Sequence, residues 1–182
     1  MNDLLNFIIK HSTDFIISFL ASALWAFLIY FLRPGLKISI KKQENINDQI
    51  KITVENLNST YSLNNIKIEA CLIASRTING RVKQQTCHFR LNLDSFIMLK
   101  EKNQVDDGYE RSFTITELME PDEFIDFNGR TINNKNYIEA LQSNENYLLR
   151  VRVHGYHALS NLGKAYEQNF KWSESTQTFE NA

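Results

Sequence analysis

The sequence predicts a mainly β protein with one N-terminal transmembrane helix, followed by an antiparallel β-sandwich or small β-barrel that contains one short helix. Three observations support this prediction. Residues 15–32 are apolar and uncharged, the hydrophobic period changes to two from Leu36 onward, and turn-forming residues recur roughly every dozen positions. We therefore expect a short extramembrane or interfacial N-terminus, the transmembrane helix, a β domain and a flexible tail, at residues 1–14, 15–32, 33–172 and 173–182.

The apolar segment at residues 15–32 has the length of a membrane span. Its 18 residues would extend about 27 Å as a helix, close to the ~30 Å hydrocarbon core of a bilayer. Lys10 and Arg33 bracket the segment, and Pro34-Gly35 is expected to end the helix. A cleaved signal peptide is the main alternative, but its apolar region is usually about 7–15 residues long. We expect the helix to remain in the mature protein.

The charges beside this segment predict its orientation. Arg33, Lys37, Lys41 and Lys42 follow it, and no acidic residue occurs until Glu44. The positive-inside rule then places the β domain of this single-pass protein on the cytoplasmic side of the inner (cytoplasmic) membrane. We expect the lipid bilayer to be the first partner of the chain.

Two further features of the N-terminal region concern association. Ser18, Ser22 and Ala26 recur every four residues and share one helix face, and such a stripe of small residues permits close approach of two helices in lipid. This predicts membrane association and self-association through that face. Residues 4–9 are also apolar, and they form either a short interfacial helix or an extension of the transmembrane helix.

Alternating apolar and polar residues predict seven or eight short strands in the β domain. Asn79-Gly80 is expected to form a tight hairpin turn. In the strand at 82–93 the apolar side chains are expected to share one face: Cys87, Phe89, Leu91 and Leu93. The clearest strands are predicted at residues 36–42, 49–55, 66–72, 82–93, 111–117, 146–156 and 166–172.

The middle of the chain is less regular. Residues 100–110 are expected to form a polar loop, and residues 120–130 fit no single element. The pattern at residues 134–143 predicts a short helix capped by Asn134. Acidic residues cluster between Asp106 and Asp126, and their spacing does not match a calcium-binding loop. We expect a solvated acidic loop region there, with a contact for a basic partner as the alternative.

The stretch from Ile50 to Leu72, IKITVENLNSTYSLNNIKIEACL, resembles the early hairpin of immunoglobulin-like repeats in bacterial surface and membrane proteins. In those repeats an "itVxN" strand leads through a polar turn to an "LxnvxI" strand. The resemblance implies an immunoglobulin-like sandwich as the form of the β domain. It implies no function, because one fold hosts many functions.

The sequence contains none of the common motifs for nucleophilic, metal-dependent or nucleotide-dependent catalysis. Cys71 and Cys87 are expected to be reduced, half-buried thiols. His88 and His154 belong to different predicted strands, and we expect no metal site and no cofactor. The net charge of −1 argues against a nucleic-acid polymer as partner. We therefore expect a protein that is not an enzyme.

The best candidate for ligand binding is the polar face of the strand near residues 150–154. Its side chains are Arg150, Arg152 and His154, with Tyr156 next in register. Guanidinium groups beside an aromatic ring suit an anionic or phosphorylated ligand. The alternative is an ordinary solvent-exposed face. His88 and Arg90 would join the group if their strand pairs alongside.

Two classes of function follow from these features. The first is a non-catalytic interaction module: the anchor holds a β domain at the membrane surface, where it binds an unknown protein partner or an anionic small ligand. The second is a ligand-gated membrane effector. A short transmembrane segment plus a small β domain resembles the layout of effectors in bacterial cyclic-oligonucleotide antiphage systems. That resemblance implies nucleotide binding, here through Arg150 or Arg152, followed by oligomerisation and disruption of the bilayer.

Overall fold

The chain divides into two compact units, Met1–Arg33 and Pro34–Ala182. The computed structural model describes residues 2–31, 35–43, 49–102, 107–119, 123–143, 146–158 and 163–182. For residues 2–11, 29–31, 42–43, 107 and 123 the structure describes the backbone but not the side chain.

The first unit is a single continuous helix, α1, Asn2–Phe31. No glycine or proline occurs in this range, so nothing in the backbone chemistry interrupts the helix at the polar residues between Lys10 and Asp14. The helix predicted at 15–32 is therefore present through Phe31, and residues 4–9 extend it rather than forming a separate helix. At 1.5 Å per residue, α1 is about 45 Å long.

Within the part of the chain that the structure describes, no helix is both long enough and apolar enough to cross a membrane. The transmembrane character predicted for residues 15–32 is thus not supported by the fold. The side chains of residues 29–32 lie outside those described.

The second unit is mainly β. Its described residues form a 3-10 turn at Asp107–Tyr109 and one short helix, α2, Tyr137–Ser143. The strands are β1 Leu36–Gln43, β2 Gln49–Asn56, β3 Leu63–Ile78, β4 Arg81–Leu91, β5 Ser95–Leu99, β6 Glu110–Leu118, β7 Glu123–Ile125, β8 Thr131–Asn133, β9 Tyr147–His157, β10 Gly163–Ser173 and β11 Thr178–Asn181.

One antiparallel sheet contains all of these strands except the small β7–β8 pair. Its order is β1-β2-β6-β4-β3-β9-β10-β11, and β5 pairs with β3 beside β4. The two ends of this order, β1 and β11, approach each other, so the sheet is nearly closed like a barrel. The mainly β class and the barrel-like architecture confirm the coarser prediction, whereas the immunoglobulin-like sandwich stays a prediction.

The core lies on the concave side of this sheet and follows from period-two patterning. In β2, buried and partly exposed residues alternate without interruption, and β9 does the same through Gly155. Ile52, Phe113, Leu72, Leu149 and Val151 are completely buried. The seven clearest strand predictions match β1, β2, β3, β4, β6, β9 and β10, because the sequence of each contains apolar residues two positions apart.

One predicted inward residue is instead exposed. Strand β4 ends at Leu91, two residues earlier than predicted, and Leu93 is 38% exposed. The cause is a change of partner: after pairing with β3, the end of β4 pairs with β6, with an irregular register at Arg90 and Leu91. The pleat therefore stops before Leu93.

The C-terminal residues 173–182 contain strand β11, where the sequence predicts a flexible tail. Residues 170–173 of β10 pair with β11, and Phe179 is buried with its ring 5.2 Å from that of Trp172. A four-residue strand with one apolar residue leaves almost no periodic signal. Strands β7 and β8 have only three residues each and leave as little signal, whereas β5 is a run of apolar residues after Ser95 with no alternation.

The stretch from Ile50 to Leu72 is not a hairpin. Strand β2 lies between β1 and β6, whereas β3 lies between β4 and β9. Asn56 shapes the turn that connects β2 to β3: its side-chain amide donates to the carbonyls of Tyr61 and Lys100 at 2.8 and 2.9 Å. Its oxygen accepts from the Asn58 N–H at 3.0 Å. Asn56, the asparagine of the "itVxN" pattern, is therefore a buried residue that stabilises this turn by hydrogen bonds.

Two local predictions have different outcomes. Asn79 and Gly80 have φ of 52° and 73°, as a tight primed hairpin turn requires, so the predicted turn is confirmed. Helix α2 lies inside the predicted range, but Asn134 is not its cap. Its side chain accepts from the Leu118 N–H at 2.6 Å and so satisfies the end of β6.

Candidate functional site

The predicted binding residues lie together on the outer face of the sheet. In β9, Val151 and Val153 are buried, while Arg150, Arg152 and His154 are partly exposed and Tyr156 is exposed. The alternation of a strand accounts for this, because successive side chains point to opposite faces. The face points to solvent rather than into the barrel-like interior.

Both arginines on this face have carboxylate partners. Arg152 donates to Glu167 Oε2 from Nε at 3.0 Å and from Nη2 at 2.5 Å. Arg150 Nε lies 3.1 Å from Glu167 Oε1 and donates to Asn169 at 2.9 Å. The hydrogen bond from Arg152 lowers the pKa of Glu167, against the opposing effect of burial. These contacts favour the ordinary outer face over an anion-binding cluster.

The neighbouring strand adds further compensating charges. The register places Glu69 of β3 opposite Arg152, with 3.9 Å between Arg152 Nη1 and Glu69 Oε2. Lys67, opposite His154, donates to Glu69 at 2.9 Å, and this hydrogen bond lowers the pKa of Glu69. Opposite charges therefore alternate across β3, β9 and β10.

A cleft adjoins this face where β4 and β5 separate. Both strands pair with the same edge of β3. Strand β5 pairs with the segment from Leu63 to Lys67, and β4 pairs with the segment from Ala70 to Ile78. Between them the Ile68 N–H donates to the Asp94 carbonyl at 2.8 Å. The concavity left at this fork has a volume of about 690 Å³. We call it the fork cleft.

The fork cleft has an apolar floor and charged walls. Buried side chains form the floor: Ile68, Ala70, Phe89 and Leu91. Charged or polar side chains line the walls: Lys67, Glu69, His88, Arg90, Asn92 and Asp94. Leu93 and Met119 are exposed apolar residues at the rim. The volume falls within the range of about 300–1,000 Å³ that ligand sites occupy.

The walls of the fork cleft carry both signs of charge. Glu69 and Asp94 oppose Lys67 and Arg90 there, and Arg90 also pairs with Glu117 at 2.5 Å. In the described residues, no group of three His, Cys, Asp or Glu side chains is placed to hold a metal ion. A ligand with an apolar part and flanking polar groups matches these walls best.

The condition under which His88 and Arg90 would join the predicted residues is not met, because β3 lies between β4 and β9. His88 lies opposite Cys71, which in turn lies opposite Arg150. Sequence reasoning missed Glu69, Glu167 and the fork cleft. The alternation in β3 and β10 would have placed both glutamates on the polar face, but it does not reveal which residues stand opposite.

The two cysteines are free and buried. Cys71 faces the outer side and Cys87 packs in the core, because Cys87 stands opposite Leu72 and so points away from Cys71. Burial raises the pKa of Cys71 to about 11 and also raises the pKa of Cys87. Both thiols are therefore protonated and poorly reactive near neutral pH.

Asp126, in the predicted acidic loop region, is a buried carboxylate with a structural role. Asp126 accepts from the Asn128 and Arg130 N–H groups, both at 2.8 Å, and from the Tyr147 hydroxyl. Burial opposes its ionisation, but these hydrogen bonds prevail and lower its pKa. Glu110 is exposed as predicted, but it begins strand β6 rather than lying in a loop. Asp106, Glu120 and Asp122 lie outside the described residues.

The small-residue stripe of α1 is exposed. Ser18, Ser22 and Ala26 follow one another at one-turn spacing, and the Ser22 hydroxyl donates to the Ser18 carbonyl at 2.8 Å. This bond satisfies the hydroxyl within the helix, as in helices with apolar surroundings.

Comparisons with known proteins show no family. No protein-family model matches the chain, and no curated protein matches it. Among solved structures, it is similar to Spo0M, a sporulation control protein from Bacillus subtilis, with a TM-score of 0.33 and 8% identity. The match covers 75% of this chain and 47% of that one, so the chain spans about half the length of Spo0M.

Proposed function

We propose that this protein is a non-catalytic binding module held at a bilayer by α1, with the fork cleft and its neighbouring charged face as the binding surface. The β domain lies on the cytoplasmic side in this proposal, because basic residues follow the apolar segment. The partner is a protein segment that inserts an apolar side chain into the fork cleft and places polar groups against its walls.

The exposed apolar surface of α1 is the main support. Every described side chain from Ser12 to Leu28 is exposed. The large apolar ones occur on all sides of the helix: Phe15, Ile16, Ile17, Phe19, Leu20, Leu24, Trp25, Phe27 and Leu28. A helix that is hydrophobic all round is stable only when it is buried in protein or lipid. Lipid supplies that burial without any further protein chain.

The length of the apolar segment also supports the proposal. Residues 15–32 carry no charge in the sequence. The structure describes their side chains only as far as Leu28. An uncharged stretch of about 18 residues is the minimum usual for a single span. The stripe of Ser18, Ser22 and Ala26 would then face a second copy of the helix in the bilayer.

Extraction from membranes tests the anchor. We expect the native chain to stay with the membrane pellet after an alkaline carbonate wash. Replacing two helix residues, Leu20→Asp with Leu24→Asp, should release it, because each buried charge costs roughly 3 kcal/mol at the centre of a span. The matched control, Leu20→Val with Leu24→Val, should stay in the pellet. Release of the native chain, or retention of the double Asp variant, would refute the anchor.

Site-specific crosslinking tests the binding surface. A photo-crosslinking residue at Met119, on the rim of the fork cleft, should capture one defined partner in cells. The same residue at Ser175, exposed in the turn before β11, is the control. An identical pattern of products at both positions would show that the fork cleft is not the binding surface.

A further inference from the structure

The hairpin of β3 and β4 extends beyond its neighbours in the sheet. The register of β9 with β3 stops at Ala74, and the Ser75 N–H then bonds to the Asn146 carbonyl at 2.9 Å. The register of β6 with β4 begins only at Phe89. Among the described strands, residues 76–78 therefore pair only with residues 81–83, and residues 84–86 pair only with residues 73–75 of β3. We call residues 76–86 the arm.

The arm is basic on one face. It contains three basic residues and no acidic one: Arg76, Arg81 and Lys83. The register sets Arg76 opposite Lys83 and Ile78 opposite Arg81. Because opposite residues share a face and residues two apart share it too, all three cations project from the same side of the arm. All three are exposed.

These cations lack the compensation found on the outer face of the sheet. Arg76 donates to the Phe127 carbonyl at 2.8 Å, which does not neutralise its charge. No carboxylate of the described residues forms an ion pair with Arg81 or Lys83. Like charges that stand directly opposite destabilise a strand pair. The Arg76–Lys83 pair thus has a cost that an anionic surface would remove.

A second like-charge pair in the sheet provides a contrast. Lys41 stands opposite Lys51 in β1 and β2. On that same face, however, Glu55 lies 3.8 Å from Lys37 and pairs with Lys102. The arm has no such carboxylate in its sequence, so its positive charge remains available to an external partner.

The tip of the arm adds an apolar group. Val82 lies between Arg81 and Lys83 and is 65% exposed. A hairpin that meets a surface end-on presents both of its faces. Cations beside an exposed apolar side chain match the headgroup region of a bilayer, where phosphates lie just outside the acyl chains.

We propose that the arm binds the phosphate groups of anionic lipids and that Val82 enters the headgroup layer. This inference rests on the proposed function, which already holds the chain at a bilayer. Nucleic acid fits less well, because three cations release few counterions and the net charge of the chain is −1. The arm would then give the β domain a second contact with the membrane, selective for acidic lipid.

A fluorescent probe at the tip tests the contact in the anchored protein. The full chain with Val82→Cys carries a polarity-sensitive dye, and the buried Cys71 and Cys87 do not compete for it. In vesicles with about one-third phosphatidylglycerol, we expect a blue shift that is absent in pure phosphatidylcholine. Adding Arg81→Gln and Lys83→Gln should abolish the shift. The control, Lys135→Gln with Lys164→Gln, removes the same charge elsewhere and should keep it.

Vesicle binding by the unanchored chain separates this inference from the anchor itself. In the Leu20→Asp, Leu24→Asp background, Arg81→Gln with Lys83→Gln should weaken binding to phosphatidylglycerol vesicles about 25-fold, at roughly fivefold per cation. The lysine control should change it less than twofold. Equal loss in both double variants, or equal binding to phosphatidylcholine or duplex DNA, would overturn the lipid assignment. A native chain released by carbonate would overturn the anchor instead.

Discussion

The hydroxyl of Tyr147, the first residue of β9, donates a hydrogen bond to the buried carboxylate of Asp126. Asp126 also accepts two backbone N–H groups of the turn that follows it, so one carboxylate joins the β7–β8 turn to the main sheet. Burial, together with this bond, raises the pKa of Tyr147 to about 12. The link is structural, although Asp126 belongs to a segment that the sequence presents as a solvated acidic loop.

Tyr147→Phe should lower the free energy of unfolding by about 1.5–3 kcal/mol, the range for a hydrogen bond to a charged group. The lowered pKa of Asp126 means that its contribution is present above the unfolded value of ~3.9 and is lost as the pH falls through the folded value. The difference in free energy of unfolding between the native chain and Tyr147→Phe should therefore become smaller in acid. Urea denaturation at pH 7 and pH 3 measures it, with the exposed Tyr156→Phe as control, and an equal effect of the two variants would contradict the link.

Asn56→Leu should lower stability by about 2–5 kcal/mol. It leaves two carbonyls and one N–H without their partner at a completely buried position. For a domain of this size the loss corresponds to a fall in Tm of roughly 4–20 °C, measurable by calorimetry. Asn56→Asp keeps the acceptor for Asn58 but loses both donors, so its Tm should lie below that of the native chain. A native Tm in Asn56→Leu would show that the turn does not depend on this side chain.

His157 makes stability depend on pH. It is completely buried, with its ring centroid 4.5 Å from that of Tyr61, and burial lowers its pKa. The unfolded chain therefore binds a proton near pH 6.5 that the folded chain does not, so stability falls as the pH drops below that value. His157→Phe should flatten the profile between pH 7.5 and 5.5, by at most about 1.4 kcal/mol per pH unit. An unchanged slope in His157→Phe would contradict this role of the buried imidazole.

Glu167→Gln tests whether Arg150 and Arg152 bind an anionic ligand, as the membrane-effector hypothesis requires. Such a ligand must compete with Glu167, so removing that charge should tighten binding about two- to fivefold, the range for an exposed ion pair. Arg152→Ala should abolish it. Calorimetry of the full chain in detergent with a cyclic dinucleotide measures both effects. If the native chain and Glu167→Gln show no heat of binding, the effector hypothesis fails.

Ser22→Leu tests self-association through α1. A bulky side chain at the centre of the Ser18, Ser22, Ala26 stripe would keep two helices apart, since close approach depends on small residues. We expect the dimer fraction in detergent, measured by analytical ultracentrifugation, to fall. Leu24→Ile, which preserves side-chain volume on another side of the helix, should leave the fraction as it is. An unaltered oligomer in Ser22→Leu would remove this face as the contact.

Much of the fold follows from local pattern. Strands β2 and β9 were predictable because each alternates buried and exposed residues along eight or more positions, and the Asn79-Gly80 turn because only a few residue pairs adopt its φ values. Strand β11 and the early end of β4 at Leu91 were not. Both depend on which strand lies alongside, and the order of strands in the sheet is set by contacts between segments that are distant in the sequence.

The candidate site divides in the same way. The sequence determined that Arg150, Arg152, His154 and Tyr156 share one face, because side-chain direction in a regular element depends only on spacing. Its apolar run also predicted a helix, which the structure describes through Phe31. Only the tertiary structure decided that Glu69 and Glu167 stand on either side of Arg152 and that β4 and β5 diverge to leave the fork cleft. Those features depend on the register between strands distant in the chain, which no local pattern encodes.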